Sequence, residues 1–316
     1  MFGKISIRNI PHQIWVTLEA LAVEHDRSTE AEARHALRSW VEPSLLIHER
    51  SSRRIEVAAR LRRLLEEANS GRSDAPIRPS HLAQAIGEEH VEAVENWFTG
   101  QTEPSFNQLK ATAKYLGAVV EWLQHGDGHM FPVKSHRLSD DATEAATWLL
   151  AWEKEEPDSS LKALHFVRES SKTGALLVVK ESSNGHFKTF TTQYHVSNEI
   201  GAGGESSLAH LWVTLELLYK HYTRNGTVPM VKSCLLKPLD YDLLRKGNTN
   251  PQAILNKSIN TPWWEDIWDK SMYKKKDYWI GWNELCETIS RSIESRSHLV
   301  EYRDQIKTGT HQFLSE

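Results

Sequence analysis

Between Lys4 and Ile10 apolar and polar positions alternate, with Ile5 and Ile7 on one side and Lys4, Ser6 and Arg8 on the other. That is the period of a half-buried strand. Pro11 suits the first turn of a helix, where its missing N–H costs nothing. Ile14, Leu18, Leu21 and Ala22 then give that helix an apolar stripe, with Trp15 at its edge. A second start follows at Ser28-Thr29-Glu30-Ala31-Glu32, where Thr29 and Glu32 fit a capping box. Ala33, Ala36, Leu37 and Val41 continue the buried face, and Pro43 is expected to end the helix. Residues 44–54 read as a connector. Helices are then expected over Ile55–Asn69, within the RPSHLAQAIG segment up to Gly87, over Glu88–Phe98, from Pro104-Ser105 onward, and before His125.

Past Pro132 the pattern changes. A helix near Asp140–Glu153 would carry Trp148 and Trp152 one turn apart, and Leu161–Glu169 reads as a second. Ala175–Lys180 is apolar, Asn184-Gly185 is the preferred two-residue hairpin turn, and Phe187, Phe190 and Tyr194 mark a returning strand. A glycine-rich loop, Gly201-Ala202-Gly203-Gly204, precedes a helix over Ser206–Tyr222, and a last long helix is expected over Trp282–Lys307. The predicted fold class is mainly α, with an α+β C-terminal domain containing the hairpin. Three domains are expected, at 1–43, 44–131 and 132–316.

Composition narrows the function classes. The chain has 316 residues, 39% hydrophobic and 25% charged, the profile of a soluble globular protein. No apolar run approaches the roughly 20 residues of a membrane span, and Met1-Phe2-Gly3-Lys4 lacks a signal-peptide apolar region. The two cysteines, Cys234 and Cys286, lack the spacing of a zinc site or a disulfide framework. These features lead us to expect a cytoplasmic protein without membrane partners, cofactor or metal. With a net charge of −4, any DNA contact must come from local patches.

A strand and two helices in some forty residues cannot bury enough surface alone. Two copies can, if their strands pair antiparallel and their helices interlock. The outward faces would then form a ribbon bearing two sets of Lys4, Ser6 and Arg8, which fits the major groove. The segments ISIRNIP and RSTEAEARHAL resemble the Arc-type ribbon-helix-helix proteins, and among them the FitA-like antitoxins, over residues 3–42. The resemblance implies an obligate dimer on double-stranded DNA, base contacts from Lys4, Ser6 and Arg8, and phosphate contacts from Asn9, Ser28 and Thr29. A swapped-strand dimerisation element that never touches DNA is the alternative.

Residues 55–128 resemble the lambda-repressor-like, or XRE, helix-turn-helix family. The matching positions are Leu82-Ala83, Ile86-Gly87, Val94, Trp97-Phe98-Thr99-Gly100, Pro104-Ser105, Leu109, Ala113, Leu116-Gly117, Val120 and Trp122-Leu123. The resemblance implies a five-helix domain whose candidate DNA contacts are Ser80, His81, His90, Glu92, Asn96, Gln101 and Thr102. Two departures weigh against base reading. One extra residue follows Gly87, and the helix expected to enter the groove carries Glu88, Glu89, Glu92 and Glu95, which phosphates repel. A protein-binding or dimerising role is the other reading. Arg50, Arg53, Arg54, Arg60, Arg62 and Arg63 form either a solvated face paired with Glu66 and Glu67 or a phosphate-contacting face.

Residues 132–316 resemble no family. The glycine loop could cradle phosphate, although it lacks the P-loop lysine, or it is a flexible connection. Trp263, Trp264, Trp268, Trp279 and Trp282, with Lys274-Lys275-Lys276 between them, are either a partner or ligand surface or a small core filled with rings. No nucleophile elbow, paired-acid motif or HExxH occurs, so no catalytic residue is assigned and the protein is expected not to be an enzyme. The sequence leads to a dimeric DNA-binding regulator, a repressor of bacterial or phage origin associated with the nucleoid. Higher oligomers are compatible with it, as is a protein partner or small ligand at the C-terminal domain. The alternatives are an antitoxin-like autoregulator whose C-terminal half neutralises a partner, and a DNA-tethered effector or nuclease.

Overall fold

The computed structural model describes residues 7–152, 159–225 and 229–314. Two helices open it, α1 (His12–Glu24) and α2 (Thr29–Ser70). The expected stop at Pro43 and the connector over 44–54 are both overturned, because α2 runs unbroken for 42 residues. A proline removes one i→i−4 hydrogen bond and strains the turn before it. The C-terminal part of α2 offsets this by burying Val57, Ala58, Leu61, Leu64 and Ala68.

That buried stripe packs on four short helices: α3 (Pro79–Ile86), α4 (Val91–Thr99), α5 (Phe106–Leu116) and α6 (Val120–His125). All four end on a glycine in the left-handed region, Gly87, Gly100, Gly117 and Gly126. Helix α4 starts at Val91 rather than Glu88, since Glu88 to His90 belong to the turn. The core between these helices holds Leu82, Val94, Trp97, Leu109, Ala113 and Leu123.

The remainder surrounds one mixed six-stranded sheet, so the hairpin is part of something larger than expected. In chain order it adds β1 (Val133–Ser135), α7 (Ala142–Leu150), β2 (Leu161–Glu169), β3 (Ala175–Ser182), β4 (Phe187–His195), α8 (Ala202–Asn225) and β5 (Met230–Leu236). Then come α9 (Pro238–Lys246), α10 (Pro251–Leu255), β6 (Ile259–Asn260), α11 (Trp263–Asp266), α12 (Lys270–Tyr273), α13 (Trp282–Glu294) and α14 (Ser297–Thr308). The strand order is β1-β4-β3-β2-β5-β6. Strands β2, β3 and β4 form an antiparallel meander with Phe166 opposite Val178, and β5 joins β2 in parallel with Ser233 beside Phe166.

Four expectations change here. Leu161–Glu169 is a strand, not a helix. Leu164 and Phe166 face one core and Val167 the other, so both sides are apolar and the alternation that betrays a strand is erased. Trp152 lies past the end of α7, whereas Trp148 stays on it. Gly203 and Gly204 sit in the first turn of α8 rather than in a loop before it. The long last helix is two, broken at Ser295-Arg296.

The tryptophan-rich segment is core. Trp263, Trp264 and Trp282 are at most 1% exposed and Trp268 is 9% exposed, packed with Phe166, Tyr219 and Trp279. The ring-filled core is thus the arrangement seen for Trp263, Trp264, Trp268 and Trp282, with Trp279 half-buried against it, while Lys274, Lys275 and Lys276 stay exposed. The two C-terminal layers and the helical module are fastened together. The Asn250 backbone N–H and side-chain amide donate to Glu67, Asn256 donates to the Gly71 carbonyl, and the Phe131 N–H donates to the Gly247 carbonyl.

Candidate nucleic-acid interface

Lys4 and Ser6 lie outside the described residues, so the candidate ribbon is seen from Ile7 onward. Ile7, Arg8 and Asn9 are exposed and extend from α1 without strand pairing. Asn9 has φ 59°, a left-handed conformation that asparagine tolerates and that turns the chain into Pro11 and α1. The strand expected over 4–10 is not formed at residues 7–10 of this single copy, and residues 4–6 lie outside the described residues.

The link between α1 and α2 is tightly made. Asp26, at φ 52°, ends α1, and the Arg27 N–H returns to the Ala22 carbonyl at 2.8 Å. The cap of α2 is Ser28, whose Oγ accepts from the Ala31 N–H at 3.2 Å. The expected Thr29–Glu32 capping box is not formed. Glu32 turns inward instead, 4% exposed, and accepts from His25 Nδ1 at 2.9 Å and Arg27 at 3.2 Å. Burial alone would raise the Glu32 carboxyl, but the hydrogen bond and charge of His25, with Arg27 behind it, hold it below its ordinary value. Ser28 and Thr29 are thereby fixed at the positive end of a long helix, where oxyanions are favoured.

Little else is buried in this segment. Among apolar side chains of residues 7–41 only Ala22 is buried, while Ile7, Ile14, Trp15, Val16, Leu21, Val23, Leu37, Trp40 and Val41 are exposed. Single exposed apolar residues are ordinary on a protein surface, but nine within thirty-five positions are not.

The second candidate surface is different in charge. Ser80, His81, His90, Glu92, Gln101 and Thr102 are exposed and Asn96 is half-buried, so the sequence-predicted contacts do reach the surface around α3 and α4. Glu89, Glu92 and Glu95 are exposed beside them. Glu88 is occupied elsewhere, accepting from the Gln108 amide at 2.7 Å at the start of α5.

Four of the α2 arginines make contacts that neither sequence reading offered. Arg62 donates to the Phe98 carbonyl, Arg60 to the Leu123 and Gln124 carbonyls at 3.0 and 3.2 Å, and Arg54 to the Gln101 carbonyl at 3.1 Å. Arg53 pairs with Glu103 at 2.7 Å. Apart from Arg53, these guanidinium groups satisfy carbonyls at and beyond the ends of α4 and α6, which have no partner within their own helices. No sequence signal points to this, because the acceptors are backbone atoms 36 to 64 positions away. Arg50 belongs to the stretch whose side chains are not described.

Residues 4–41 match the family model of FitA-like antitoxins, ribbon-helix-helix. The match covers the N-terminal segment only. No curated protein and no solved structure matches the chain. Among the described residues no helix is long and apolar enough to cross a membrane, and no group of three or more His, Cys, Asp or Glu side chains is placed to hold a metal.

Proposed function

We propose that this protein is a dimeric, sequence-specific DNA-binding regulator, acting as a repressor. It reads the major groove with an intersubunit ribbon formed by residues 4–8 of two copies. The observation that carries this reading is the unburied apolar face of the FitA-like segment, from Ile14 and Leu21 on α1 to Leu37 on α2, beside the exposed Arg8. A second copy would cover that face and supply the strand that Ile7 lacks. Arg8 would then pair with guanine, Lys4 and Ser6 with neighbouring base edges, and Ser28 and Thr29 would receive the flanking phosphates.

Residues 55–128 act in this reading as a helix-turn-helix-like module held away from the bases. Its helix order and glycine stops support the resemblance to the lambda-repressor type, while Glu89, Glu92 and Glu95 oppose contact with phosphates. The unbroken α2 joins the ribbon directly to this module, so the C-terminal domain would move with the DNA-bound end as one lever.

Binding of the full-length protein to its own upstream DNA tests the proposal. Specific retention in the presence of excess scrambled duplex supports it, and equal competition by scrambled duplex contradicts it. The antitoxin reading, in which residues 132–316 neutralise a partner, is favoured by the same family match. It predicts stoichiometric co-purification of the product of an adjacent gene.

A further inference from the structure

The first turn of α8 borders a cavity of about 470 Å³, walled by the β4 end, the 171–174 turn and the chain entering the helix. Gly201, Gly203 and Gly204 line it, and a Cβ at Gly201 or Gly203 would meet nothing within 4 Å. The Glu205 N–H bonds back to the Gly201 carbonyl, so the preceding N–H groups of Ala202, Gly203 and Gly204 have no partner inside the helix. At the head of a 24-residue helix they form a positive end.

A helix start alone would prove little, but other side chains converge on it. Arg137, Lys172 and His195 line the same cavity, with Lys172 shared by Glu199 at 3.1 Å. His195 Nδ1 donates to the Thr173 carbonyl at 3.1 Å. Tyr194 also lines the cavity and is 2% exposed, yet among the described residues its hydroxyl has no hydrogen-bond partner. Burial, with Asp140 nearby, pushes that hydroxyl well above its ordinary value and keeps it a donor. The rest of the side chain is enclosed, while the hydroxyl oxygen itself is not among the buried atoms without a partner, so it reaches solvent and is free to donate to a ligand.

Behind the lining residues lies a buried cation. Arg168, 2% exposed, stacks on Trp279 at 4.0 Å and donates to the Val196 and Glu169 carbonyls at 2.8 and 2.7 Å, joining the chain just past β4 to the end of β2.

We infer that this cavity binds a small phosphate monoester, its phosphoryl group held by the α8 N–H groups, Arg137 and the Tyr194 hydroxyl. Three acceptor oxygens match three classes of donor. The volume exceeds that of bare phosphate and lies in the range of small-ligand sites, and Ile200 and Leu208 provide apolar wall for an organic body. The inference does not rest on DNA binding by the N-terminal segment.

Calorimetry of the full-length protein with ribose 5-phosphate tests it, with ribose, inorganic phosphate and a short DNA duplex as the other arms. Saturable binding of ribose 5-phosphate, weaker binding of phosphate and none of ribose are expected. Arg137→Gln, at an exposed position, and the isosteric Tyr194→Phe should each weaken binding by about tenfold or more, the effect of losing a hydrogen bond to a charged group. Lys220→Gln, further along α8, should leave it unchanged. The inference is overturned by absence of saturation up to about 10 mM, well above a millimolar dissociation constant. It is equally overturned if Arg137→Gln binds as tightly as the parent chain, if ribose binds as well as its phosphate, or if the duplex displaces the sugar phosphate.

Discussion

Replacing Ile14 by alanine should weaken self-association without unfolding the chain. Ile14 is 58% exposed in the single copy, on the stripe that also holds Leu18, Leu21 and Ala22. Burying a whole isoleucine is worth about 1.5–3 kcal/mol, so covering the exposed part is worth roughly 1–1.7 kcal/mol. A twofold dimer makes the contact twice, which gives roughly 2–3 kcal/mol and about 30- to 150-fold in the dimer dissociation constant. Alanine keeps the Cβ and favours helix, so α1 itself should persist, as circular dichroism would show. Sedimentation equilibrium over a wide concentration range gives the constant directly. Ile280→Ala removes an apolar side chain that is 92% exposed far along the chain, and it should change nothing. If Ile14→Ala dimerises like the parent, or if Ile280→Ala has the same effect, the covered-face argument fails.

Three further outcomes follow from side chains that hold the scaffold. Arg62→Ala strips the Phe98 carbonyl of its donor and should cost about 1–3 kcal/mol in urea unfolding, with Arg62→Lys recovering part of it. Glu181 is held by Lys162 at 2.5 Å and by His165, and although burial alone would raise its carboxyl, these partners bring it down to about 2. A depressed carboxyl stabilises the fold above its unfolded value of about 4.5. Roughly 2–3 kcal/mol should therefore be lost as pH falls toward 2, and Glu181→Gln should flatten that part of the acid-denaturation profile. Trp263→Ala leaves a cavity at a fully buried site and should lower stability by about 3–5 kcal/mol in denaturant titration.

The parts of the fold legible in the sequence were those governed by local rules. Gly87 and Gly100 mark helix ends because left-handed backbone is a local need, and Asn184-Gly185 marks the β3–β4 turn for the same reason. What depended on tertiary partners was hidden. Leu161–Glu169 looks helical because a strand covered on both faces has no polar side, and only its place between β3 and β5 decides the matter. Pro43 reads as a stop because the packing that carries α2 onward begins at Val57, beyond any local window. The arginine run could not be resolved into helix-end clamps, since its acceptors are distant carbonyls.

At the candidate interface, local reading found the α2 start, but it placed the cap one residue late. Thr29 has the right chemistry, yet Ser28 bonds the Ala31 N–H, and Glu32 serves His25 and Arg27. The phosphate-cradling option for the glycine segment was visible in the sequence. The converging Arg137, Lys172 and Tyr194 were not, because three separate elements bring them to the α8 start.

The most direct test of the account is the affinity of Arg8→Ala for upstream DNA against scrambled duplex, at fixed salt. One guanine contact is worth about 1–3 kcal/mol of discrimination, and a symmetric ribbon carries two. Specific binding should therefore fall by at least about tenfold, while binding to scrambled duplex falls far less. An Arg8→Ala protein that keeps its full preference for upstream DNA would contradict the account.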